Sequence, residues 1–248
     1  MAGHSKWANI KHRKARQDAV RGKAWSKCSR AIIVAARQAG GDPEYNLGLR
    51  YAIEMAKAAN MPKDTIAKAI KRGMGETEGV AYEEIRYEGY GPAGVALIVD
   101  CLTDNLNRAA AEIRKLFEKS GGNLGKPGAV AFGFRQQGLF LFDVARVTEE
   151  QLIEVALDAG ADDVVEAGGA WEVTCPPRDF HRVRDALVSA GLDPDSAEVT
   201  MLPQTMVDCD AVTAAKVLRL IDALEDHDDV QKVYHNAEIP DEVLSGSQ

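Results

Sequence analysis

Charge is divided unevenly along this chain, with a basic end on an acidic body. Residues 1–75 carry sixteen Lys and Arg against five Asp and Glu, while residues 76–248 carry fourteen against thirty-three. The whole-chain net charge of −8 therefore describes neither part. A basic end on an acidic body implies an electrostatic partner for that end, with nucleic acid the first candidate. At 248 residues the chain is also long for one core and suits two or three.

The first twenty-five residues sharpen this reading. Lys6, Lys11, Arg13, Lys14, Arg16, Arg21 and Lys23 are cations, His4 and His12 are potential donors, and Trp7 and Trp25 are aromatic platforms. Cations release counterions from a phosphate backbone, and aromatics stack on unpaired bases. The alternative is a solvated, disordered basic tail, but tails that merely solubilise rarely spend Trp.

Several function classes find no support. There is no apolar run approaching the roughly eighteen residues of a spanning helix, so no membrane partner is expected. The N-terminus lacks the apolar stretch of a secretory signal, and Cys28, Cys101, Cys175 and Cys209 are scattered, which fits reduced thiols in a cytoplasm. No metal or cofactor is expected, because no Cys/His cluster has ligand spacing. Gly121-Gly122-Asn123-Leu124-Gly125-Lys126-Pro127 imitates a phosphate loop, but its spacing is one residue short, Pro127 stands where Ser or Thr would bind a metal, and the segment follows a helix. His181 and His227 sit among charges at helix positions without a nucleophile–base–acid arrangement, so no catalytic residue is assigned.

Periodicity divides the chain. Gly22–Gln38 reads as a helix with Trp25, Cys28, Ile32, Ala35 and Ala36 on one face and Lys23, Lys27, Arg30 and Arg37 opposite. A second helix runs from about Asn46 to Asn60. A third starts with Pro62 at its first position and ends at Gly73, with Lys63, Lys68, Lys71 and Arg72 outside its apolar row. From Ala81 the pattern becomes strands: Tyr82–Glu88 and Val95–Leu102 around a glycine-rich turn, a helix capped by Asp104 or Asn105, then a strand near Ala129–Phe134. Residues 138–203 read as βαββαβ, the ferredoxin-like order, with Thr148-Glu149-Glu150-Gln151 as a capping box. A helix over Asp210–Leu224 and a strand over Val230–Tyr234 complete the earlier ββαβ. The expectation is therefore an α+β protein of three domains: a helical one at 1–78, a discontinuous α+β one at 79–136 plus 205–240, and a ferredoxin-like one inserted at 137–204.

Several blocks closely resemble the YebC/PmpR family. They are Ala2-Gly3-His4-Ser5-Lys6-Trp7 with Lys11-His12-Arg13-Lys14, Asn60-Met61-Pro62-Lys63-Asp64, Ala69-Ile70-Lys71-Arg72-Gly73, Tyr87-Glu88-Gly89-Tyr90-Gly91-Pro92, Cys101-Leu102-Thr103-Asp104-Asn105 and Gly121-Gly122-Asn123-Leu124-Gly125. The resemblance implies three domains in a cytoplasmic protein, with a cleft between the two α+β domains. It also implies regulation of gene expression: members carry a DNA-binding transcriptional label, and they include the mitochondrial translational activator of cytochrome c oxidase and ribosome-linked bacterial proteins. Lys126-Pro127-Gly128-Ala129 departs from the pattern, which more often has small polar residues followed by Ser-Val.

The expected function is a non-enzymatic nucleic-acid-binding regulator acting as a monomer. It binds DNA by the family label, or ribosomal RNA and the ribosome, with RNA slightly favoured because the helical region lacks a convincing helix-turn-helix. The candidate binding residues are His4, Lys6, Trp7, Lys11, His12, Arg13, Lys14, Arg16, Lys23, Lys27, Arg30, Lys68, Lys71 and Arg72. Two alternatives are a small-molecule sensor using the cleft and, less favoured, a hydrolase within it.

Overall fold

A computed structural model describes residues 21–77, 81–240 and 242–243, with the side chains of Arg21 and Gly22 left aside. The chain opens with three helices, α1 (Arg21–Ala39), α2 (Leu47–Ala58) and α3 (Lys63–Gly73). Ile32, Ile33, Ala36, Leu49, Ala52, Ala56, Met61, Ile66 and Ala69 form their common core. Asn46 builds the link between α1 and α2. Its Oδ1 caps α2 by accepting from Leu49 N–H at 2.9 Å, and its Nδ2 donates to the carbonyls of Ala35 and Gly40.

Helix α3 ends at Gly73 as expected, but the glycine is required there for packing rather than for a left-handed cap. Gly73 is the last helical residue, and it is buried because α3 crosses α1 there. A Cβ on Gly73 would lie 2.6 Å from the Ile33 carbonyl oxygen and 2.7 Å from Ala36 Cβ. The missing side chain is thus a packing requirement, and the left-handed turn comes two residues later at Gly75, φ +78°. Pro62 takes the N-cap position rather than the first helical one.

Strands β1 (Glu83–Tyr90) and β2 (Ala96–Thr103), helix α4 (Leu106–Lys119) and strand β3 (Asn123–Leu124) follow. After a 3-10 turn at Ala131–Gly133 come β4 (Phe134–Asp143), α5 (Glu149–Asp158), β5 (Asp163–Ala167), β6 (Ala170–Cys175), α6 (Phe180–Ser189) and β7 (Ser196–Pro203). Last are β8 (Val207–Asp208), α7 (Ala211–Glu225), β9 (Val230–His235) and β10 (Ala237–Glu238). The first sheet has the order β3-β1-β2-β9 and the second β5-β6-β4-β7; β8 and β10 form a small parallel pair. All neighbours in both four-stranded sheets are antiparallel. The second sheet is the ferredoxin-like arrangement, and in sequence it interrupts the first, whose last strand is β9. The protein is α+β.

Each sheet buries one face under two helices. Val95, Leu97, Val99 and Cys101 of the first sheet pack on Ile113 and Phe117 of α4 and on Val217 and Leu224 of α7. Phe140, Phe142 and Val173 of the second pack on Leu152 of α5 and Val183 of α6, with Phe140 and Phe180 stacked at 4.9 Å. Thr148 and Gln151 form the capping box that their spacing foretold.

The strand expected at Ala129–Phe134 is absent. Residues 129–133 form a turn, and the edge strand of the first sheet is β3, inside the glycine-rich stretch. The cause is Glu88, which is buried on β1 and accepts backbone N–H bonds from Gly128 at 2.7 Å and from Val130 and Ala131 at 2.8 Å. Those donors are therefore unavailable to a β ladder. Burial works against ionisation of Glu88, but the three N–H bonds outweigh it and hold the carboxyl below its ordinary range.

The Gly73 contact sets one expectation. Gly73→Ala forces α1 and α3 apart, and the protein should lose about 1–3 kcal/mol of stability, read as a shifted urea midpoint with unchanged slope.

Candidate nucleic-acid interface

Three of the four cations on the basic face of α1, Lys23, Lys27 and Arg30, bond to the body, while Arg37 is exposed. Lys23 Nζ donates to the Asp226 carbonyl at 3.1 Å and Lys27 Nζ to the Glu225 carbonyl at 2.5 Å. Arg30 donates to the Asp228 carbonyl and, at 2.8 Å, to Asp229 Oδ1. These cations meet the C-terminal end of α7, where the last carbonyls lack helical partners and the helix dipole is negative. Burial pushes the Lys27 ammonium below its ordinary pKa, against the pull of Glu225 and Asp226. Arg30 also lies 5.4 Å from the ring centre of Tyr82.

Asp229 is the centre of this junction. Its carboxylate is 1% exposed as part of a buried residue and receives Arg30, Arg108 Nη2 at 2.8 Å and the Thr103 hydroxyl at 2.8 Å. Its own N–H donates to His227 Nδ1 at 3.1 Å, and the other ring nitrogen of His227 lies 2.8 Å from Glu112. Burial disfavours the charge, yet hydrogen bonds from Arg108 and Thr103 and the two guanidinium charges hold the carboxyl below the usual aspartate range.

Beside this junction lies a cleft of about 1390 Å³. The family resemblance implied a cleft between two α+β domains; here α1 and α2 form a third wall, through residues such as Lys27 and Tyr51. The other walls are β1, β2 and β9 of the first sheet and residues 194–198 at β7. Several charged side chains in it are paired: Arg86 with both oxygens of Asp100 at 2.6 and 2.9 Å, and Lys232 with Glu198 at 3.2 Å. Lys232 also donates to the Tyr51 hydroxyl, and Arg184 of α6 pairs with Glu54 of α2 at 2.7 Å. Burial, with the Asp229 and Asp100 charges, pushes the Cys101 thiol up to about 12, and burial raises Cys28 as well. Both are protonated at neutral pH, so neither is an activated nucleophile. Among the described residues, no group of three or more His, Cys, Asp and Glu is placed to hold a metal ion, and no helix is long and apolar enough to cross a membrane.

Other cations of the helical unit face solvent. Lys57 at the end of α2 and Lys63, Lys68 and Lys71 on α3 are exposed, and none makes an ion pair among the described residues. Arg72 is half-buried, with Nε shielded from solvent and without a hydrogen-bond partner among the described residues. So the candidate residues separate. Lys68 and Lys71 stand free on one surface with Arg72 at its edge, whereas Lys23, Lys27 and Arg30 hold the helical unit to α7. His4, Lys6, Trp7, Lys11, His12, Arg13, Lys14 and Arg16 lie outside the described residues. Lys57 was not among the candidates; its place in the last turn of α2, next to the start of α3, was the available signal.

Models of two family segments match the chain: the TACO1/YebC protein N-terminal domain over residues 5–76, and the TACO1/YebC second and third domain over residues 82–237. The chain belongs to the TACO1/YebC family. It is 54% identical over 245 residues to a probable transcriptional regulatory protein of Magnetococcus marinus, covering 98% of both chains. Identity is 55% to proteins of the same description from Dictyoglomus turgidum, with 98% of both chains covered, and from Paraburkholderia phytofirmans, with 98% of this chain and all of that one covered. Among solved structures it is similar to the crystal structure of a conserved hypothetical protein, Aq1575, from Aquifex aeolicus. That likeness has a TM-score of 0.80 at 45% identity and covers 91% of this chain and 93% of the other. Relatives of the TACO1/YebC family thus match this chain end to end, across the α1–α7 junction as well as the sheets.

Asp229→Asn keeps the Thr103 contact but strips the charge shared by Arg30 and Arg108. It should cost about 2–4 kcal/mol, measured by urea unfolding at pH 7. Because the folded carboxyl titrates below its unfolded value, its contribution is complete above about pH 4 and fades as pH falls through the folded value. Acid should therefore erode the difference between the native protein and the variant.

Proposed function

We propose that this protein is a non-enzymatic regulator of gene expression that binds nucleic acid through its helical unit, and that its target is structured RNA of the translation machinery. The observation that carries the reading is the set of exposed lysines Lys57, Lys63, Lys68 and Lys71, without ion pairs among the described residues, on a unit whose Lys23, Lys27 and Arg30 are used internally. It stands at the end of a segment with an eleven-charge excess of Lys and Arg, on a body with an excess of acids. Unpaired surface cations gain from phosphate by counterion release, while the acidic body repels a polyanion and orients it toward the helices. The transcriptional description of the relatives supports the regulatory role.

RNA is favoured over duplex DNA on geometry. The α1–α2 link spans residues 40–46 and is fixed by Asn46 and by Arg50, whose guanidinium donates to the Pro43 and Glu44 carbonyls at 3.0 Å. The first half of α1 is held at the end of α7 and its apolar face packs in the helical core, so it is not free to enter a major groove. α3 presents lysines rather than the bidentate Arg, Asn or Gln side chains that read base edges there, a pattern suited to backbone shape.

The protein is expected to co-sediment with ribosomes at moderate salt in the presence of excess promoter-sized duplex DNA. Transfer to the DNA at equal salt would return the assignment to transcription. Lys68→Ala with Lys71→Ala should weaken RNA binding and reduce the slope of log affinity against log salt by about 1.4.

A further inference from the structure

The acidic body carries one stretch without acids. Between Glu118 and Asp143 there is no Asp or Glu, while Lys119, Lys126 and Arg135 are all present. The middle of this stretch is the turn that Glu88 holds, and it carries Phe132, which is 77% exposed.

An exposed apolar residue alone means little. Phe132 differs in how its backbone is held. Glu88 binds the N–H groups of Gly128, Val130 and Ala131, and its carbonyl accepts from Gly125 N–H at 2.7 Å. The Tyr90 hydroxyl donates to the Ala129 carbonyl at 2.9 Å. On the far side Gln204 donates its N–H to the Gly133 carbonyl at 2.8 Å and its side-chain amide to the Phe132 carbonyl at 3.2 Å. Val130 and Phe134, flanking it, are buried against Ile98 and Tyr234. The turn is anchored on both sides, and between the anchors the ring is kept in solvent rather than folded onto the protein. Lys126 and Arg135 are exposed and make no ion pair among the described residues. Glu88, the nearest acid in the turn, is occupied by backbone N–H groups.

An exposed ring on an anchored turn, flanked in sequence by exposed cations, has the chemistry of a single-stranded nucleic-acid contact: an unpaired base stacks on the ring, and the adjoining phosphates meet the cations. We infer that the Lys126–Phe132–Arg135 turn is a second nucleic-acid contact, on the body, taking an unpaired RNA base on Phe132. This rests on the proposed RNA-binding role and extends it. The helical unit supplies sequence-independent charge, and the turn selects unpaired over duplex nucleic acid.

The test is fluorescence anisotropy on the full chain with a labelled twenty-nucleotide single-stranded RNA and a duplex DNA of equal length. Phe132→Ala should weaken RNA binding about tenfold, leave the salt slope unchanged and leave duplex binding unaltered; Phe132→Tyr should restore the RNA affinity. Lys126→Ala with Arg135→Ala should lower the RNA salt slope by about 1.4. All three side chains are exposed, and thermal melts confirm that each variant folds. RNA affinity unchanged in Phe132→Ala but lost in Lys68→Ala/Lys71→Ala overturns the turn as a contact and keeps the proposed function. An equal loss on RNA and duplex overturns base stacking. Native protein that binds neither nucleic acid overturns both readings.

Discussion

Asp229 holds together segments that are far apart in sequence. Its carboxylate joins Arg30 of α1, Thr103 at the end of β2 and Arg108 of α4, and its carbonyl accepts from Leu102 N–H at 2.8 Å. A buried carboxylate is costly to desolvate and survives only where donors surround it. Here two guanidinium groups and a hydroxyl meet that need at once, so the helical unit cannot leave without exposing a charge deficit in the first sheet. The three ammonium and guanidinium groups on the carbonyls of Glu225, Asp226 and Asp228, at and just beyond the end of α7, extend the same principle. The helical unit has its own core, so it is fixed to the body chiefly by charge, and the cleft stays open beside the junction.

That arrangement divides the basic residues by role. Lys23, Lys27 and Arg30 of α1 and Arg50 of α2 complete the fold, while Lys57, Lys63, Lys68 and Lys71 face solvent. Opposite charge on the two parts of the chain therefore serves twice. It docks one part on the other, and it leaves a surplus on the outer face of the helices. The acid-free turn around Phe132 repeats the pattern on the body, where Glu88 withdraws its charge into backbone N–H groups and leaves Lys126 and Arg135 facing solvent.

Local signals in the sequence were reliable where one element decides its own structure. Asn46 and Asn105 cap their helices, Thr148 and Gln151 form their box, and the turn glycines Gly168 and Gly169 take positive φ. The order of strands and helices over 138–203 was legible for the same reason. Errors arose where a distant group intervened. The apolar run Ala129–Phe134 has strand composition, but Glu88, forty-odd residues earlier, takes its donors. Gly73 has the look of a terminator, yet its role is to admit the Ile33 carbonyl from another helix.

The sequence by itself determined the family, the three helices, the βαββαβ unit and the separation of a basic part from an acidic one, because each depends on periodicity, capping or composition within a short window. Only the tertiary structure decided which cations are free. Lys23 and Lys68 look alike in a charge count, and the difference between them is an α7 carbonyl at hydrogen-bond distance from one and solvent around the other. A charge pattern states that partners are needed; the distances across the folded chain state which of those partners the protein already supplies.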